Sequence, residues 1–186
     1  PVTNIESQSR NSRLYTEFLN KVDVRKENIH IPDGTVPQDK VSEYCSEFEK
    51  TVRDLDLLVV GVGEHGQVGF NESGTSLKSH TRTVLLSYRS RKRQASNFNG
   101  NIDATPKSAI TIGIDTIMSA KRIILMAWGE DKAEAVSRIT EGEMDSAWPA
   151  SFLQAHDNLT LDADDTSASR LTRVAAPWMV GPCEWT

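Results

Sequence analysis

Glu64, His65, Gln67 and Glu72 stand within nine residues of one another, interleaved with Gly61, Gly63, Gly66 and Gly69. That mixture suits proton transfer. An imidazole ionises near neutrality, and a neighbouring carboxylate can orient it or balance its charge. Glycines let backbone approach a ligand closely and adopt positive φ. A lone loop histidine or carboxylate is more often merely solvated. Here an apolar run at 55–60 delivers the chain into the glycine-rich loop, and ligands of open α/β sheets sit where strands end. The string GVGEHG also fits G-x-G-x-x-G, but a dinucleotide site needs that loop to open a helix and an acid about 20 positions later. Residues 67–74 are too glycine-rich to begin a helix, and no acid stands near position 86. A nicotinamide site is therefore set aside.

The elements that must position this loop can be read from periodicity. Leu14, Phe18 and Val22 predict a helix over 7–22, and Val41, Tyr44, Cys45, Phe48 and Val52 predict one over 40–52. Residues 28–31 read as a short extended piece before the turn signal Pro32-Asp33-Gly34. The run 55–60 predicts a strand buried on both faces. Further strands are expected at 81–86, 108–114, 122–127 and 158–161. Helices are expected at 129–139, with Ala133, Val136 and Ile139 inward, at 148–156 and at 166–174, while 97–107 reads as loop. Strands alternating with helices predict an α/β fold with a largely parallel sheet.

Composition bounds the rest. At 186 residues the chain is long enough for one domain with a sizeable core. A net charge of −5 argues against non-specific nucleic-acid binding, which needs a basic face. No apolar run approaches the length of a membrane span, and no signal peptide is visible. Cys45 and Cys183 are far apart and in no metal-like spacing, which favours free thiols in a reducing, cytoplasmic compartment. No metal site or cofactor is expected.

The pattern Gly61-x-Gly63-x-x-Gly66-x-x-Gly69-Phe70-Asn71-Glu72 resembles the signature of the glucosamine-6-phosphate deaminase/isomerase family. The likeness continues through Ser76-Leu77, Thr81-Arg82-Thr83, Ala109–Gly113, Thr116-Ile117-Met118, Ala120, Gly129-x-x-Lys132-Ala133 and Glu141-Gly142. His30–Gly34 and 177–183 look like a longer, two-domain variant, so ordered matches cover about residues 28–183. The resemblance implies a three-layer α/β sandwich with a mainly parallel, Rossmann-like sheet, of the type shared with 6-phosphogluconolactonase. It implies conversion of D-glucosamine 6-phosphate and water to D-fructose 6-phosphate and ammonia, an isomerisation coupled to deamination in amino-sugar catabolism.

Carried over position by position, Glu72 falls on the carboxylate that supports the family's ring-opening histidine. That histidine's own position is Gln67, and the aspartate before it is His65. A carboxamide cannot give and recover a proton as imidazole does. The catalytic set is therefore expected to be Glu72, His65 and Gln67, with His65 able to offer an imidazole from two residues away. Gly61, Gly63, Gly69 and Lys132 are expected to bind substrate, Lys132 falling on the family's phosphate-binding lysine. A second phosphate-binding arginine would fall near Ser96, with Arg91 and Arg93 close by. Thr75, Ser76 and Arg82 match part of an effector site, but Val84 replaces its lysine, so allostery is not expected. The family's phosphate loop and its aspartate base would lie upstream of Pro1, so residues 1–186 are expected to form a single deaminase-like domain without its N-terminal strands. The expected partner is an amino-sugar phosphate, with neither nucleic acid nor membrane, and the resemblance leaves room for a homo-oligomer. Two alternatives accompany this reading: a catalytically impaired sugar-phosphate-binding or regulatory domain, and a deaminase for another amino sugar such as galactosamine 6-phosphate.

Overall fold

The computed structural model describes residues 10–180. Positions 7–9 of the first expected helix and residues 181–183, Cys183 included, lie outside them. The chain divides into two compact units: residues 10–51 with 81–111, and residues 52–80 with 112–180.

In the first unit, helix α1 (Arg10–Glu17) is followed by short 3₁₀ turns at Leu19–Lys21 and Lys26–Asn28. Of the extended piece foreseen at 28–31, Asn28 thus belongs to a 3₁₀ turn and Ile29 is extended. Helix α2 (Val41–Val52) buries Cys45, and Tyr44 stacks on Phe48 one turn later. The Tyr44 hydroxyl accepts the Asp33 N–H at 2.7 Å, fastening the Pro-Asp-Gly turn to the helix.

In chain order β1 is Leu58–Gly61, β2 Arg82–Leu85, β3 Ser108–Thr111, β4 Ile123–Ala127 and β5 Leu159–Ala163. Strands β2 and β3 form a two-stranded antiparallel ladder in the first unit. Helix α3 (Tyr88–Gln94) follows β2, its N-terminus capped by Ser87, whose side chain accepts the Ser90 N–H. The expected loop at 97–107 holds a 3₁₀ turn at Ile102–Ala104.

The second unit carries the parallel sheet, in the order β1-β4-β5. Its core joins β4, helix α4 (Ile114–Met118), helix α5 (Ala133–Glu141) and the 3₁₀ segment Pro149–Ala155. Ala133, Val136 and Ile139 are buried, as the helical spacing predicts. Helix α6 (Thr172–Ala175) is shorter than the helix expected over 166–174.

Two expectations need correction. Strand β1 is not buried on both faces: Val59 is 49% exposed, as is Leu57 before it. Among the described residues β1 is an edge, and the central strand covered on both sides is β4. The strand foreseen at 108–114 stops at Thr111, because Gly113 lies against Ser79 and Ile114 begins α4. Ser79 accepts the Ile114 N–H on its hydroxyl (2.9 Å) and the Asp115 N–H on its carbonyl (3.0 Å). A Cβ on Gly113 would fall 1.9 Å from that carbonyl oxygen. Gly113→Ala is therefore expected to cost roughly 3 kcal/mol by overpacking, lowering the melting temperature by roughly 6–12 °C. Thermal unfolding followed by circular dichroism measures this, and an unchanged midpoint would mean the segment yields freely.

Candidate active site

The loop after β1 is a small hydrogen-bonded structure of its own. The Val62 N–H continues the ladder to Met126 O at 3.0 Å. The chain then doubles back, so that Val62 bridges Val68 and Val68 bridges Asn71, both antiparallel. Gly63 donates its N–H to Gln67 O (2.8 Å), and Gly66 donates to Gly63 O (2.9 Å), closing a turn over Gly63-Glu64-His65-Gly66. Gly66 sits at φ +69°, and a Cβ there would lie 2.7 Å from Trp148 Cε3. Both backbone conformation and space thus require glycine. Trp148 in turn carries the Arg138 guanidinium over its ring at 5.9 Å. Ala150 donates to Gly66 O and Gly74 to Ser146 O, each at 2.8 Å, tying both ends of the loop to the segment 146–150.

Inside this frame Val68 and Asn71 are fully buried. The Asn71 amide donates to Val68 O (3.0 Å) and Ile112 O (2.8 Å), so the asparagine of the Phe-Asn-Glu string is a structural rivet. Gln67 folds its carboxamide back over Gly63: a Cβ on Gly63 would meet Gln67 Cδ at 2.2 Å. Gln67 Oε1 accepts the His65 N–H at 3.0 Å. The side chain standing where the resemblance expects an imidazole therefore braces the turn. The His65 ring points elsewhere, with Nε2 3.4 Å from Glu64 Oε1 and the side chain 47% exposed. Glu72 is half-buried, and its carbonyl accepts the Thr75 N–H (3.1 Å) and hydroxyl (2.6 Å).

The neighbouring strand leads to a buried lysine. Because β1 and β4 run parallel, with Gly61 opposite Met126, the loop 62–72 and the segment after Ala127 leave the sheet at its carboxyl end. There Gly129 turns the chain and a 3₁₀ turn, Glu130–Lys132, leads into α5. Lys132 is buried, at 8% exposure, with its ammonium paired to the Asp131 carboxylate. A lysine held this deep beside a strand end is well placed to meet an anion as a point charge.

Asp164, directly after β5, lies at the same carboxyl end. Sequence reasoning missed it, although an Asp-x-Thr-Ser string at a strand end is a recognisable turn-capping signal. Hydrogen bonds from Ser167 first, then from the Gly129 N–H and the Thr166 hydroxyl, outweigh desolvation and hold its carboxyl at about 2, against an ordinary value of 3.8. A pKa depressed on folding favours the folded state above pH 4, and that contribution fades as pH falls toward 2. Asp164 is thus an anion throughout the neutral range.

The two arginines near Ser96 belong to the first unit. Arg91 donates to Ile102 O (2.7 Å) and Thr105 Oγ1 (3.2 Å), which fixes it within that unit. Among the described residues no group of three or more His, Cys, Asp or Glu could hold a metal ion, and no helix is long and apolar enough to cross a membrane.

The family described as glucosamine-6-phosphate isomerases/6-phosphogluconolactonase matches residues 2–161. A putative glucosamine-6-phosphate deaminase-like protein of Bacteroides thetaiotaomicron is 40% identical over 188 residues, covering 100% of this chain. The glucosamine-6-phosphate deaminase of Shouchella clausii is 38% identical over 177 residues, covering 92% of it. The solved structure of a monomeric glucosamine-6-phosphate deaminase superposes with a TM-score of 0.86 at 36% identity over 91% of the chain, so the fold is the α/β sandwich of that family. The chain spans 28% of the length of the Bacteroides protein and 70% of each of the other two.

Proposed function

The chain belongs to the glucosamine-6-phosphate isomerase/6-phosphogluconolactonase family, and from that premise we propose that it handles substrate in a glucosamine-6-phosphate deaminase. The observation that carries this reading is the shared carboxyl end of the sheet, where the loop of Glu72 and the segment of the buried Lys132 follow adjacent parallel strands. The substrate phosphate lies against Lys132, and the backbone of Gly61, Gly63 and Gly69 lines the approach to the sugar. The reaction opens the pyranose ring and moves a proton from C2 to C1 through an enediol-type intermediate. The shift leaves an imine at C2; water adds to its carbon and the C–N bond breaks, giving fructose 6-phosphate and ammonia. Glu72 supports the proton relay beside the ring oxygen, with His65 as the nearest imidazole in the loop. The free, buried thiol of Cys45 suits a reducing, cytoplasmic setting.

A second reading draws on Gln67. Its carboxamide holds the His65 N–H and cannot shuttle protons, as a sugar-phosphate-binding domain with an impaired relay would require. A coupled ammonia assay with glucosamine 6-phosphate and folded protein separates the two. Ammonia release is expected under the first reading; calorimetric binding without turnover supports the second. Neither binding nor turnover would sink both. The ratio of kcat/KM for glucosamine and galactosamine 6-phosphates decides which epimer is the substrate.

A further inference from the structure

Asp164 touches the site through backbone. Its carboxylate receives the Gly129 N–H on both oxygens, at 3.1 and 3.2 Å. It also accepts the Ser167 N–H and the Thr166 hydroxyl, each at 2.9 Å. Ser167 Oγ donates to Ala127 O at 2.7 Å, and the Asp164 N–H approaches the same carbonyl at 3.4 Å. The turn after β5 thus grips both the last residue of β4 and the glycine two positions beyond it.

What it grips has no conformation of its own to fall back on. Gly129 stands at φ +92°, ψ 151°, a region populated essentially by glycine. A glycine has many other choices, so a single geometry here must be imposed from outside. The hydrogen bond from its N–H to Asp164 supplies that constraint. Gly129 O then accepts the Lys132 N–H at 3.0 Å, closing the turn that buries the lysine. The route from Asp164 to the ammonium is therefore one carboxylate, one glycine peptide and one 3₁₀ turn.

We infer that Asp164 is a positioning residue, which fixes the Gly129 peptide so that Lys132 is aimed at a phosphoryl group; this rests on the sugar-phosphate reading of Lys132. A carboxylate would repel a phosphate dianion at close range, so Asp164 acts through the turn and does not touch the substrate. Its side-chain oxygens act by reach, accepting the N–H groups of Gly129 and Ser167 together.

Asp164→Ser keeps a hydroxyl that can cap the local turn, but its side chain is too short to reach Gly129. Titration calorimetry with glucosamine 6-phosphate is expected to show the dissociation constant raised about 10- to 100-fold, as for a misplaced binding group. Asp164→Asn retains a carbonyl oxygen for Gly129 and is expected to stay within about twofold of the parent protein. Amide hydrogen exchange at 129–132 should quicken in Asp164→Ser and return toward the parent rate in Asp164→Asn. Parent-like affinity and exchange in folded Asp164→Ser would overturn the inference, as would an Asp164→Asn protein no better than Asp164→Ser. Should Asp164→Ser fail to fold, Gly129→Ala displaces the same turn and leaves the carboxylate in place. It is expected to lose affinity similarly, and parent-like binding there overturns the inference. A parent protein that binds no sugar phosphate refutes the reading of Lys132, and the exchange comparison alone then decides whether Asp164 positions the turn.

Discussion

Lys132→Met raises the KM for glucosamine 6-phosphate about 10- to 100-fold, the loss expected when a charge-assisted contact of about 1.5–3 kcal/mol is removed. The ammonium is buried beside a carboxylate whose own side chain is 51% exposed. Asp131 is already half in solvent with the ammonium in place, and methionine fills most of the lysine's volume. Removing one partner of a pair is costly when the remaining charge is stranded in the interior, and the half-exposed Asp131 is not. The melting temperature should therefore stay close to that of the parent while KM rises, and steady-state kinetics beside thermal unfolding measure both. A KM within about twofold of the parent would remove Lys132 from the phosphate site.

Gln67→His raises kcat about 10²-fold or more, the usual worth of a positioned general acid–base. Position 67 already accepts the His65 N–H through a side-chain oxygen at 3.0 Å. A neutral imidazole can take the same hydrogen bond on one ring nitrogen and leave the other for the substrate. The turn keeps its brace and gains a group that titrates near neutrality. The gain should therefore appear with an acidic limb in the pH–rate profile near the ordinary histidine value of about 6.5. An unchanged kcat would show that proton transfer through this position does not limit turnover, and His65 or another group would have to carry it.

The parts of the candidate site that lie close together in the chain are legible in the sequence. The glycine spacing, Glu72 and Lys132 were identifiable because each belongs to a short string whose meaning is local: a strand, a turn, the first residues of a helix. The substitution of Gln67 for an imidazole was also plain from the residue type. Its physical role was not, since the hydrogen bond to the His65 N–H depends on how the turn closes on itself. Asp164 escaped notice because the glycine it secures stands 35 positions earlier in the chain.

The same division holds for the fold. The sequence by itself determined which residues of α2 and α5 face inward, because helical periodicity relates a residue to neighbours three and four places away. It also determined that the carboxyl end of β1 carries the loop of Glu64, His65, Gln67 and Glu72, since that adjacency is covalent. Only the tertiary structure decided that β2 and β3 pair antiparallel, apart from the parallel sheet. It alone decided that β4 is the strand covered on both faces, while Val59 of β1 stands half in solvent. Strand pairing is a contest among distant partners, and an apolar run does not say which side of it will be covered. The approach of Ser79 to Gly113, which turns an expected strand into the start of α4, is the same lesson at one residue.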